Sequence, residues 1–366
     1  MKKTKVCQIV SGLRSGGVES MIYNYCSHMS KDKFDFYLLY QHSAFEKNIK
    51  EFTNLNFKLK RIPSKKVNLL GNYLATYNFL KDNKIDVVHC HMTLMNFIPL
   101  LAAKKAGIKV KICHSHGSDV RSKSNLIEKI EDKLRKLCFE NSDYHLACGH
   151  DAGKYLYESN DFKIIYNAID LKKFIYNEQS RTKIRSELNV DDNCFLIGHI
   201  GRFETQKNHY FILDLMKKLN EDNIKYKIVF LGNGELYNEF VENIKKNQLD
   251  NNAIFCGVVA NTNDYYSAFD MFILPSLYEG LPVSALEAQA SGLLCLLSKN
   301  IDESVIVDSN RIKLLNLDVK EWQENIVKAI ADNKYRDREI NLEKFNDKHL
   351  NIENEYKELE KIYLTK

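Results

Sequence analysis

No run in this chain approaches the roughly 18–20 consecutive apolar residues that cross a bilayer, so no membrane span is expected and the chain reads as soluble or at most peripheral. The opening MKKTKVCQIVSG has a basic start but only a short apolar run, which suits a first buried strand better than a signal peptide. None of the nine cysteines belongs to a C-x-x-C pair. An odd number of thiols scattered through apolar runs, among them Cys90, Cys113 and Cys148, argues for buried free thiols in a reducing cytoplasm rather than for disulfides or zinc. The G-x-G-x-x-G turn that a nicotinamide-dependent oxidoreductase should carry after its first strand is missing. So is the G-K-[ST] of a P-loop.

What remains is a chain of 366 residues, 44% apolar and 28% charged, longer than one hydrophobic core usually serves. Short β-branched or aromatic runs alternate with helix-length amphipathic segments. Val6–Val10, Phe36–Tyr40, Phe57–Ile62, Ile85–His89, Val110–Cys113, Tyr144–Cys148 and Lys163–Ile165 read as strands of a first half, and Val18–Met29, Leu70–Lys81, Leu94–Lys105 and Asn125–Phe139 as its helices. After a polar stretch the pattern restarts with strands Phe195–Ile200, Lys227–Leu231, Met271–Leu274 and Leu293–Leu297, and with helices His209–Leu219, Glu235–Asn247 and Pro282–Ser291. The expected architecture is α/β, two doubly wound parallel-sheet (Rossmann-like) domains facing across a cleft. The expected boundaries are 1–170, a linker at 171–193, 194–345, and a C-terminal helix at 346–366 packing back on the first domain.

The segment PSLYEGLPVSALEAQASG, Pro275 to Gly292, carries the strongest signal. A buried strand ends at Pro275, a loop carries Glu279 and Gly280, and a helix begins around Pro282. Backbone N–H groups near Val283 and Ser284 are then free to meet an anion such as a phosphate. Glu279 and Glu287 flank that anion position at different depths, and each can accept from two adjacent hydroxyls. A ligand with a sugar at each end of a diphosphate suits the pair. In GHIGRFETQKNH, Gly198 to His209, Arg202 and Lys207 supply two cations that can neutralise a diphosphate as it leaves.

The glutamate pair resembles the E-x-x-x-x-x-x-x-E signature of retaining glycosyltransferases of the GT-B fold, in particular family 4. The resemblance implies that Glu287 holds the nucleotide ribose, that Glu279 holds the transferred sugar, and that the backbone of Gly280, Leu281, Pro282, Val283 and Ser284 meets the diphosphate and sugar hydroxyls. Arg202 and Lys207 match the family's G-R-x-x-x-x-K-G pattern, with Asn208 where glycine is common. In VKICHSHGSD, Val110 to Asp119, His116 aligns with a strand-end histidine that touches the donor sugar and the reacting region, while His114 reads as a packing residue with a satisfied nitrogen. A metal on the His-x-His pair, or on His89 and His91, stays open, without an evident carboxylate or thiolate partner. SGLRSGGVES, Ser11 to Ser20, resembles the family's glycine loop between donor phosphate and acceptor, placing Gly16 and Gly17 there; Glu19 can be a helix-start charge only. YNAID, Tyr166 to Asp170, resembles the segment entering the interdomain linker, with Ala168 for glycine.

The resemblance covers nearly the whole chain and leans towards exopolysaccharide and capsule members. It implies a cytoplasmic hexosyltransferase with a UDP-sugar as co-substrate, a lipid-linked saccharide acceptor and no nucleic-acid partner. D-x-D occurs nowhere, so no metal or other cofactor is expected, Arg202, Lys207 and a helix N-terminus replacing it. A nonhydrolysing sugar-nucleotide epimerase or a binding-only protein on the same fold stays open. Charge is divided unevenly: residues 1–150 hold 25 Lys and Arg against 13 Asp and Glu, and the remainder 28 against 35. The basic groups Lys58, Lys60, Arg61, Lys65 and Lys66, then Lys104, Lys105, Lys109 and Lys111, then Lys129, Lys133, Arg135 and Lys136 suggest docking on an anionic membrane surface. The helix of the last group adds Leu126, Ile127, Ile130, Leu134 and Leu137, an apolar stripe that can equally face the core.

Overall fold

Parallel strands buried on both faces need apolar residues at successive positions, and the β-branched and aromatic runs supply them. A computed structural model describes residues 2–14, 16–117, 125–158, 161–222, 224–333 and 336–365; Ser15, Ser118 and Asp119 of the segments above lie outside them. The chain divides into two units, residues 1–168 with 349–366, and residues 169–348.

Unit 1 holds β1 (Thr4–Ile9), β2 (Phe34–Tyr40), β3 (Lys58–Arg61), β4 (Val87–Cys90), β5 (Val110–Ser115), β6 (Tyr144–Ala147) and β7 (Lys163–Ile164). They form one parallel sheet in the order β3-β2-β1-β4-β5-β6-β7. Its helices are α1 (Gly17–His28), α2 (Glu46–Asn54), α3 (Leu69–Asp82), α4 (Phe97–Lys105), α5 (Asn125–Glu140) and α6 (His150–Tyr157).

Unit 2 begins with α7 (Leu171–Phe174) and α8 (Glu178–Glu187). It continues through β8 (Phe195–Ile200), α9 (His209–Asn220), β9 (Tyr226–Leu231), α10 (Tyr237–Lys246), β10 (Ala253–Gly257), α11 (Thr262–Ala268), β11 (Met271–Leu274) and α12 (Val283–Ala290). Strands β12 (Leu294–Ser298) and β13 (Ile312–Leu315), with α13 (Val319–Asp332) and α14 (Glu343–Asp347), complete it. Its sheet is also parallel, in the order β10-β9-β8-β11-β12-β13. The chain then returns to unit 1 as α15 (Ile352–Tyr363), its first turn capped by Asn351, whose side chain accepts from the N–H of Glu353.

Side chains alternate across each strand, so unit 1 has two core layers. Val6, Phe36, Leu38 and Ile112 pack with Ile22, Tyr25, Phe52, Ile352, Leu359 and Tyr363 of α1, α2 and α15. Cys7, Ile9, Val88, Cys90 and Cys113 pack on the other side with Leu80, Leu100, Cys138 and Leu156 of α3 to α6. All nine cysteines are free, and eight are buried.

Residues 171–193, expected as a linker, are built into unit 2. Arg185 of α8 is buried against Asp270, Nη1 to Oδ2 3.1 Å, and Arg181 reaches the other oxygen at 2.8 Å. A helix with so few apolar residues is anchored by a buried ion pair instead, which a search for apolar periodicity passes over. The basic groups of unit 1 also need correcting. Arg135 is buried, donating to Tyr155 O at 2.8 Å and pairing with Glu131 and Asp132, because its long side chain turns back along its own helix. Leu126, Ile127 and Ile130 of α5 are exposed, Leu126 by 70%, so this part of the apolar stripe does not face the core. Among the described residues no helix is long and apolar enough to cross a membrane.

Candidate active site

Strands β8 and β11 are neighbours in the unit 2 sheet, so the loops leaving their carboxyl ends meet although they are far apart in sequence. Three hydrogen bonds stitch them: Leu277 N to Gln206 O (2.8 Å), Gln206 Nε2 to Tyr278 O (3.0 Å) and Asn208 Nδ2 to Pro275 O (3.1 Å). Asn208 takes φ 54° and ψ 47°, the left-handed conformation that asparagine tolerates better than other side-chain-bearing residues. Replacing the common glycine therefore keeps the turn and adds the amide bond to Pro275.

This stitching sets Lys207 against Glu279. Its ammonium donates to Glu279 Oε1, which also accepts from Ser276 Oγ at 3.0 Å. Both side chains are mostly withdrawn from solvent, 15% and 12% exposed, which strengthens their mutual attraction over that of a surface pair. Arg202 stands apart from this pair, bonding Glu204 at 2.9 Å and remaining 40% exposed. Helix α12 starts at Val283, with Pro282 at its N-cap. The first N–H groups of a helix have no intrahelical acceptor, so Val283 and Ser284 offer donors beside Gly280 and Leu281. Nothing lies within 4 Å of where a Cβ on Gly280 would stand. One turn into the helix, Glu287 Oε2 accepts from Tyr266 Oη at 2.9 Å. Burial and the Glu287 charge both push the Tyr266 phenol well above its ordinary range, which keeps it a donor.

Sequence reasoning missed two supports of this site. Tyr266, which holds Glu287, looked like one more aromatic of a helix. Gly232 and Gly234, in LGNGE after β9, allow close backbone approach: a Cβ on Gly232 would stand 2.0 Å from Gly201 O, and one on Gly234 2.4 Å from Phe203 O. Gly232 also needs φ +138°, a region glycine favours. The glycine spacing was the available signal.

Gly16, Gly17 and His116 lie in unit 1. Gly16 is extended at φ −167°, and Gly17 opens α1. Glu19 does more than charge the helix start, since its Oε1 accepts from the N–H of Arg14 at 3.0 Å. His116 follows β5, its Nε2 2.8 Å from His91 Nδ1. His114 is only half satisfied: Nδ1 meets His89 Nε2 at 3.1 Å and Nε2 has no partner among the described residues. His89, His91 and His114 offer nitrogens within 4.8 Å of one another, the spacing of a metal site. Both nitrogens of His89, both of His91 and one of His114 already face hydrogen-bond partners, so these rings are committed to one another, to Gln8 and to Tyr363.

The carboxylate pair, the helix N-terminus and a lysine from the neighbouring loop thus gather acceptors, donors and a cation at one end of the unit 2 sheet. The family described as Glycosyltransferase Family 4 matches residues 15–173, and that described as Glycosyl transferases group 1 matches residues 180–343. EpsF of Bacillus subtilis, carried under a provisional glycosyltransferase name, is 32% identical over 340 residues, covering 89% of this chain and 88% of that one. The capsular polysaccharide biosynthesis glycosyltransferase CapH of Staphylococcus aureus is 27% identical over 99% of both chains. The UDP-Gal:α-D-GlcNAc-diphosphoundecaprenol α-1,3-galactosyltransferase of Escherichia coli is 27% identical over 72% of this chain and 73% of its own. Anabaena HepE, solved with UDP and glucose, shares the GT-B fold at a TM-score of 0.79 over 98% of both chains, with 13% identity. Both halves of the chain agree: this protein belongs to the GT-B glycosyltransferases, family 4 by its first unit and group 1 by its second.

Proposed function

We propose that this protein is a metal-independent retaining hexosyltransferase that moves a sugar from a UDP-sugar to a lipid-linked saccharide in exopolysaccharide or capsule biosynthesis. The observation that carries the reading is the Lys207–Glu279 pair beside the α12 N-terminus. A diphosphate sugar can take over both partners at once, its phosphates accepting from Lys207 and from the helix N–H groups while its sugar hydroxyls donate to Glu279. Glu287, steadied by Tyr266, accepts from the ribose hydroxyls. Arg202 adds a second cation from the same loop as the diphosphate leaves with growing charge. No residue stands out as a covalent nucleophile, which favours attack of the acceptor hydroxyl on the face the diphosphate leaves, a leaving-group oxygen taking the proton. His116 receives a hydroxyl in the reacting region. The relatives that act on capsular polysaccharide and on a diphosphoundecaprenol-linked sugar support the acceptor class.

A panel of nucleotide sugars, assayed with and without chelator, tests this. Transfer from one UDP-sugar with the anomeric configuration kept, unaffected by chelator, is the expected result; activity lost with chelator and restored by magnesium or manganese would overturn metal independence. Release of an epimer without acceptor would favour the epimerase. In the same assay Glu287→Ala should weaken both donor and free UDP by about 1.5–3 kcal/mol, the worth of a charged hydrogen bond. Unchanged UDP affinity in calorimetry removes Glu287 from the ribose.

Unit 1 further suits an anionic membrane carrying such an acceptor. The exposed Leu126, Ile127 and Ile130 of α5 sit among Lys129 and Lys133, and Val67, 88% exposed, follows Lys66, with the exposed Leu69 and Leu70 opening α3. Each lysine near an anionic leaflet contributes about 1 kcal/mol and is screened by salt. Vesicle sedimentation should show binding that requires anionic lipid, falls at high salt and weakens about thirtyfold in a Lys129→Gln/Lys133→Gln variant. Equal binding to neutral vesicles, or none to either, removes the docking idea and leaves the transferase reading in place.

A further inference from the structure

Strands β1, β4 and β5 lie side by side, and the two-residue period of a strand sends Gln8, His89, His91, His114 and His116 to one face. On that face α15 brings Tyr363 over the sheet. Its phenol accepts from Gln8 Nε2 at 2.8 Å and lies 2.7 Å from His89 Nδ1. Two ring-to-ring bonds run side by side from there: His89 Nε2 to His114 Nδ1, and His91 Nδ1 to His116 Nε2. The rings of His89 and His91 lie 4.0 Å apart, tilted by 37°, and those of His114 and His116 stack at 4.0 Å. Burial pushes all four imidazoles below the ordinary histidine range, His116 to about 3, so each carries a single proton near neutrality.

One amide then decides where every proton sits. Gln8 Nε2 faces Tyr363 and, at 3.8 Å, the Cys26 sulfur, so the phenol hydrogen is left for His89 Nδ1. His89 must hold its own proton on Nε2 and give it to His114 Nδ1, which leaves the His114 proton on Nε2. On the other arm Gln8 Oε1 accepts from His91 Nε2 at 2.8 Å. His91 Nδ1 is therefore a lone pair, and His116 must donate to it from Nε2. All four rings are the Nε2–H form. Turning the amide over would reverse all four together. Two buried nitrogens have no partner among the described residues, His114 Nε2 and His116 Nδ1, and they are consequently of opposite kind, the first a donor and the second an acceptor.

We propose that Gln8 and His91 are positioning residues that lock His116 in its Nε2–H form and so present its Nδ1 as a hydrogen-bond acceptor for a sugar hydroxyl. The hydroxyl rests on the transferase reading above, whereas the proton positions do not. A hydroxyl approaching this nitrogen can give its hydrogen to the ring. The reversed network would show it an N–H, which takes none.

Nitrogen NMR of the full-length protein labelled on histidine reads the tautomer of each imidazole directly. The expected wild-type result is Nε2–H for both His91 and His116. Gln8→Met, similar in length but without the amide, should leave both rings as mixtures and lower kcat about two- to twelvefold, the worth of a neutral hydrogen bond, with free UDP affinity unchanged. Tyr363→Phe should release His89 and His114 from the Nε2–H form while His91 and His116 keep it, so the test stands even if Gln8→Met does not fold. An Nδ1–H form at His91 or His116 in the wild type, or a pure Nε2–H form at His116 in Gln8→Met, overturns the proposal whether or not transfer is seen. Absence of transfer from every donor, with the tautomers as stated, refutes the transferase reading and leaves the proton assignment standing.

Discussion

Lys207→Ala is expected to lower transfer by about a hundred- to a thousandfold, the loss typical of removing one preorganised donor from developing negative charge. The lysine serves the site twice. Without ligand it neutralises Glu279, and in the reaction proposed above it is, with Arg202, a charged donor to the leaving diphosphate. The effect should therefore fall on kcat more than on folding, because Glu279 keeps its bond from Ser276 when the lysine is gone. Steady-state kinetics and a thermal melt on the same preparation check this. Turnover within threefold of wild type would remove Lys207 from the chemistry, and a large fall in melting temperature would make it a structural residue. Glu279→Gln keeps the shape of the carboxylate and its bond to Ser276. It should also lose turnover while binding UDP as before if, as proposed, the sugar rather than the nucleotide meets that position.

The largest effect on stability is expected at Asp270. Its Oδ2 accepts from the N–H of Leu196 at 2.8 Å and meets Arg185 Nη1, while Oδ1 takes Arg181. Asp270→Ala leaves the buried Arg185 guanidinium with the exposed Asp192 carboxylate, 3.7 Å from its Nε, in place of a buried countercharge, and breaking a buried pair from one side costs about 3–5 kcal/mol. Arg185 retains the carbonyls of Asp191 and Cys194, at 2.6 and 2.7 Å, so it cannot swing out without breaking those bonds as well. Denaturant unfolding should show the loss in the transition of unit 2, because the pair ties α8 to the start of β8 and to the approach to β11. Pairing Asp270→Leu with Arg185→Met should recover part of it, as a well-packed apolar replacement often does. A loss below about 1 kcal/mol in Asp270→Ala would mean the charges are compensated elsewhere.

The sequence was most readable where one physical requirement dominated. Central strands β8 and β11 are covered on both faces and, His199 apart, carry no polar side chain, and Phe195–Ile200 and Met271–Leu274 have the bounds expected of them. The edge strands β10 and β13 escaped, since a strand with one neighbour is short and only partly covered. Helix α8 escaped because ion pairs replace its apolar face. At the site, Glu279, Glu287, Arg202 and Lys207 were legible from residue type and spacing, but their partners were not. Lys207 and Glu279 are 72 positions apart and meet only because β8 and β11 are adjacent. The H-x-H spacings in β4 and β5 were visible too. That Gln8 and Tyr363 join them depends on strand register and on a helix 274 residues away from His89.

The return of the chain to unit 1 has a consequence for how the protein comes into being. Unit 2 is one continuous stretch, residues 169–348, whereas unit 1 is completed only by residues 349–366. During synthesis, which proceeds from the N-terminus with units folding as they emerge, all of unit 2 is made while unit 1 still lacks Ile352, Leu359, Ile362 and Tyr363 from its core. The nascent first unit thus carries an uncovered apolar face, and its histidine rings lack their phenol, until the last turns of α15 leave the ribosome. A chain released before residue 349 can hold a folded second unit, yet it cannot close the first.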